Sequence, residues 1–123
     1  MKIVNVNEGD YEKGDYTFAS VKKEILRDEI LMISPQNCDT KQFYAGVATI
    51  YPGARSRGHA HENSEELCFV TKGKGIVVVG EEEAKVETGD LVYVPKGKFH
   101  LFKNPNQTAL DLFFVISPPK KPR

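Results

Sequence analysis

From Gln42 onward the chain breaks into short apolar runs separated by turn residues, a pattern that predicts strands rather than helices. Phe43 to Tyr51 is rich in β-formers and has no polar side, as expected of a strand covered on both faces. Pro52 and Gly53 end it in a tight turn. Glu66 to Thr71 predicts a second strand, closed by Lys72 to Gly75. Ile76 to Val79 and Ala84 to Glu87 then form a hairpin around Gly80 to Glu83, and the turn Thr88 to Asp90 leads into Leu91 to Pro95. Pro95 and Gly97 force a sharp bend before His100. Asn104 to Asn106 closes that strand, Ala109 to Ile116 supplies the last one, and residues 117–123 read as a loose tail.

Before Gln42 the pattern is weaker. Lys2 to Val6 alternates enough for an edge strand or an arm, and Glu8 to Asp15 reads as loop. Residues 16–20 and 22–33 are ambiguous, because Glu24 to Ile33 has a helical period as well as β-branched residues. Ser34 to Asp39 is turn. The expected organisation is one domain: residues 1–40 as strands or an arm packed on a barrel, 41–116 as its core, and 117–123 as the tail.

Composition narrows the function classes. At 123 residues the chain holds a single core. With 17 acidic and 17 basic residues it lacks the basic excess of a nucleic-acid binder. Its two cysteines, Cys38 and Cys68, are too few for a disulfide framework and point to a reducing compartment. No early apolar run suits a signal peptide or a membrane span, so a cytoplasmic protein is expected. The acidic triplet Glu81 to Glu83 reads as a solvated turn rather than a cation site.

The chemistry concentrates in the three histidines. His59 and His61, spaced i, i+2, would lie on one face of a strand with Cα atoms about 6–7 Å apart. Glu66 follows closely, and the bend at Pro95 to Gly97 lets a short chain return His100 to the same place. Three nitrogens and one carboxylate oxygen suit one divalent ion of Fe, Mn, Ni, Co, Cu or Zn. Taken alone, the histidine pair is more often a solvated strand surface than a metal site.

Two linked motifs sharpen the picture. Gly53, His59, His61, Glu66 and Gly73 read G-x5-H-x-H-x4-E-x6-G, and Gly89, Pro95, Gly97, His100 and Asn104 read G-x5-P-x-G-x2-H-x3-N. Both resemble the signature motifs of the cupin family at every signature position. The resemblance implies an all-β fold, a jelly-roll-like antiparallel barrel. It favours strands over 16–20 and 22–33, and it matches His59, His61, Glu66 and His100 to the family's metal ligands. It also prefers Glu66 to Glu65, which alternation sends to the opposite face.

Strand alternation then places Cys68 inward as pocket wall, too distant to bind the same ion easily, and Phe102 inward with His100. Tyr44, Ala48 and Phe114 are further wall candidates, with the parity of 43–51 left open. Arg57 would share the direction of His59 if the strand reaches it, and would then hold a substrate carboxylate; otherwise it is a solvated rim residue. Four ligands leave two positions free on a six-coordinate ion, whereas tetrahedral Zn would be filled and structural. Because imidazole must be neutral to bind, metal is expected to be lost below about pH 6.

The resemblance to cupins implies an enzyme that acts at an open metal site on a small oxygenated molecule, by dioxygenase, decarboxylase, isomerase or lyase chemistry. A ligand-binding or sensor module is the alternative, and a storage role with vestigial metal binding is a third. A small-molecule partner and a homodimer complete the expectation, without nucleic acid or membrane.

Overall fold

The computed structural model describes residues 1–12 and 27–119. A single 3-10 turn, η1 (Val6–Glu8), precedes β1 (Asp10–Glu12), β2 (Arg27–Ile33), β3 (Tyr44–Ile50) and β4 (His59–Ala60). Then follow β5 (Glu65–Lys72), β6 (Lys74–Val79), β7 (Glu82–Glu87), β8 (Leu91–Val94), β9 (Phe99–Lys103) and β10 (Leu110–Ser117). A six-stranded sheet runs β1-β2-β3-β10-β5-β8, and a four-stranded sheet runs β4-β9-β6-β7. Every strand pairing among the described residues is antiparallel. No helix among the described residues is long and apolar enough to cross a membrane.

Alternation decides what faces inward. On β5 Glu66, Cys68 and Val70 are buried while their neighbours are exposed, and on β10 Leu110, Leu112, Phe114 and Ile116 are buried. These side chains meet Tyr44 and Ile50 of β3, and Val77, Val86 and Phe102 of the smaller sheet. Removing such residues from water contributes about 1.5–3 kcal/mol each. Asn104, at the end of β9, is fully buried. Its Nδ2 donates to the carbonyls of Ile50 (3.0 Å) and Thr108 (2.8 Å), tying the smaller sheet to the ends of β3 and the β9–β10 loop.

The amino-terminal region departs from expectation in two ways. Lys2 to Val6 forms no strand. Asn5 instead caps η1, its side chain accepting from the Asn7 amide at 2.9 Å while Glu8 Oε1 accepts from the Asn5 amide at 3.1 Å. Asp10 to Glu12, expected as loop, pairs with Glu29 to Leu31. The open edge of β2 supplies the hydrogen-bonding partners, and tertiary pairing overrides poor strand propensity. The ambiguous stretch resolves to strand over Arg27–Ile33. Residues 16–20 and 22–26 lie outside the described residues, as do 120–123 of the expected tail.

Candidate metal centre

His59 and His100 are directly opposed on β4 and β9, so cross-strand pairing brings their rings together. The expected strand through both His59 and His61 stops at Ala60. His61 therefore sits just past β4, and the bend before β9 holds it there: the Gly97 amide donates to the His61 carbonyl at 2.9 Å. Gly97 has φ +79°, a left-handed conformation that favours glycine. Glu66 reaches the cluster from β5, across the interior, and Glu65 points outward.

The rings of His59 lie 4.4 Å and 4.6 Å from those of His61 and His100, centroid to centroid, and the latter two are 5.3 Å apart. Glu66 Oε1 is 2.7 Å from His61 Nε2 and 3.2 Å from His100 Nε2. Ligand atoms of all four residues lie within 4.8 Å of one another. His61, Glu66 and His100 are buried; His59 is exposed at the mouth.

Electrostatics favour a carboxylate here. Burial alone would push the Glu66 carboxyl up, but hydrogen bonds from His100 and His61, the charge of His100 and the Cys68 thiol together hold it well below the usual range. Cys68 Sγ lies 3.0 Å from Glu66 Oε2, on the oxygen that the histidines leave free. Burial, followed by the Glu66 charge, pushes the Cys68 thiol up, so it remains a donor. Among the described residues, His61 Nδ1 is buried without a hydrogen-bond partner. Three imidazoles crowded around one ionised carboxylate fit a divalent cation: it takes the nitrogen lone pairs, balances the carboxylate and avoids burying imidazolium charge. The residues present therefore fit the ion that the motifs imply.

The cluster opens into a cavity of about 470 Å³. Tyr44, Ala48, Cys68, Phe102 and Phe114 line it, together with Ile50, Leu112 and Ile116, so β3 turns its even-numbered residues inward. Burial, then the charges of Glu29 and Glu66, raises the Tyr44 phenol, which keeps its proton. Arg57 does not line the cavity and is exposed. Its expected inward direction depended on a strand that begins only at His59. Gly58, at φ +86°, breaks the alternation, and Ser56 faces inward instead, its Oγ accepting from the Phe102 amide at 3.0 Å. Arg27 and Glu29 of β2 also line the cavity. Sequence reasoning missed both, because the segment's helical period hid its two-residue alternation.

Comparison with known proteins agrees with this architecture. A profile of the cupin domain matches residues 46–116, more than half of the chain. The chain belongs to the cupin family. Protein SchB of Streptomyces halstedii is 30% identical over 87 residues, which cover 71% of this cupin and 63% of that protein. An uncharacterised protein of Methanocaldococcus jannaschii is 28% identical over 119 residues, 97% of this chain and 90% of its own. In three dimensions the cupin superposes on a predicted oxalate decarboxylase from Thermotoga maritima with a TM-score of 0.78 at 20% identity, covering 95% and 99% of the two chains. That likeness shows the jelly-roll fold.

Proposed function

We propose that this cupin is a mononuclear metal enzyme acting on a small oxygenated organic molecule, with His59, His61, Glu66 and His100 as ligands to one divalent transition-metal ion. The observation that carries the reading is the position of the cluster. Four ligand residues converge on the wall of a cavity rather than in a sealed core, and His59 remains exposed. Such an ion supplies Lewis-acid or redox chemistry when bound. The chain's own residues do the rest. Cys68 orients the Glu66 carboxylate, Phe102, Leu112 and Phe114 exclude water, and Tyr44 offers a retained phenolic proton.

A second reading, a ligand-binding cupin without turnover, is favoured by one feature: burial makes weak acids of Tyr44 and Cys68, two of the proton-bearing groups that line the cavity. Metal content of protein purified without added metal tests the shared premise. Turnover of oxalate, 2-oxo acids and sugar phosphates, with and without O2, then separates the readings. Ligand-dependent thermal stabilisation without product identifies the binding module, and activity under anaerobic conditions removes a dioxygenase.

The reading extends to a homodimer in the cytoplasm. The outer face of the six-stranded sheet supports a second copy as partner. Phe113, Phe69 and Leu91 lie in one cross-strand row and Leu67 and Tyr93 in the next, all substantially exposed. Cys38 and Cys68, both free thiols, support a reducing compartment.

A further inference from the structure

The inner face of the larger sheet is apolar along β3 and β10, where Ile50, Ala48, Leu110 and Leu112 point inward. On β2 it changes character. Arg27 and Glu29, spaced i, i+2 and paired in register with Ile50 and Ala48, line the same cavity as the histidines. Arg27 Nη1 lies 3.1 Å from Glu29 Oε2, and their side chains are only 14% and 17% exposed. An ion pair this far from solvent costs desolvation, and apolar residues of similar volume would often serve the fold as well or better. Packing therefore gives little reason for the pair.

We propose that Arg27, held by Glu29, forms a second polar subsite that binds the carboxylate of an organic acid whose oxygenated head lies at the His59, His61, Glu66 and His100 cluster. The assignment rests on the reading of that cluster as the ligand-binding end of the cavity. The ion pair engages Nη1, and a guanidinium carries several further N–H donors in a rigid fork that matches a carboxylate bidentately. A cavity of about 470 Å³ is far larger than an oxygenated head group needs. A ligand spanning both polar ends would lay an apolar middle against Leu112, Phe114 and Phe102. The ligand class is thus a carboxylic acid with a second, oxygen-rich end, several carbons away.

The test is calorimetric titration of the metal-loaded full chain with two series of 2-oxo acids sharing one head: the diacids 2-oxoglutarate, 2-oxoadipate and 2-oxopimelate, and monoacids of matching length. At one length the diacid is expected to bind about tenfold or more tighter than its monoacid. Arg27→Met removes that preference and leaves monoacid affinity within about twofold, which also shows that the variant is folded. Arg27→Lys keeps the charge, loses the fork and recovers only part of the preference. Diacids that bind no better than monoacids, or a preference that survives in Arg27→Met, would overturn the subsite while leaving the cluster reading intact. Failure of both series to bind metal-loaded protein would overturn the two together.

Discussion

The two faces of the six-stranded sheet each depart from the usual distribution of polarity at particular positions. On β5, one residue separates Glu66 and Cys68, buried inside, from Leu67 and Phe69, partly exposed outside. The inner face spends burial on ionisable groups, each satisfied by another: Glu66 by His61, His100 and Cys68, and Arg27 by Glu29. The outer face leaves apolar side chains in water, with Leu91 as much as 61% exposed. Both departures oppose the stability of an isolated domain. The difference teaches that a single alternating strand presents ionisable side chains to a cavity on one side and apolar side chains to solvent on the other.

The largest expected effect lies inside. His100→Ala or His61→Ala should lower metal affinity by at least about a hundredfold and reduce metal content to near zero, measured by elemental analysis. Retention of a full equivalent of metal in either variant would show that the cluster does not act as a unit. Next is the outer face. Leu67→Lys combined with Phe113→Lys should shift the sedimentation coefficient from dimer to monomer without changing metal content. A wild-type protein that sediments as a monomer at high concentration would remove that half of the comparison.

A smaller effect is expected at Cys68. Cys68→Ala frees Glu66 Oε2 and should weaken Co(II) binding about tenfold, with an altered Co(II) absorption spectrum, while Cys68→Ser restores a donor and most of the affinity. An unchanged spectrum would reduce the thiol to packing.

The smallest effect is alkaline. The folded state holds the Tyr44 phenol above its unfolded value of about 10, so this contribution to stability is intact below pH 10. It declines above that pH, as the unfolded chain ionises first and gains the advantage. Tyr44→Phe should flatten that part of the urea-stability profile above pH 10, and an identical slope in the variant would contradict the assignment.

Legibility in the sequence followed the range of the interactions involved. The strands after Gln42 were readable because each apolar run ends at its own turn residues, and the observed bounds differ from the expected ones by one or two residues at most ends. The motif positions of His59, His61, Glu66 and His100 were readable for the same local reason. β1 was not, because Asp10 to Glu12 becomes a strand only through pairing with β2. Arg57 was a pocket candidate only if the strand reached two residues before His59; with the left-handed Gly58 between them it is exposed, as the rim alternative had it.

By itself, then, the order of residues determined which side chains make up the candidate metal cluster and where the carboxyl-terminal strands begin and end, since both are properties of a few consecutive positions. Only the tertiary structure decided that Glu66 meets His61 and His100 across the interior, that Arg27 rather than Arg57 shares their cavity, and that the back of the sheet lies open. Those outcomes depend on registers such as Arg27 opposite Ile50 and Glu66 opposite Ile116. A shift of one residue in either would turn the same side chains to the other face.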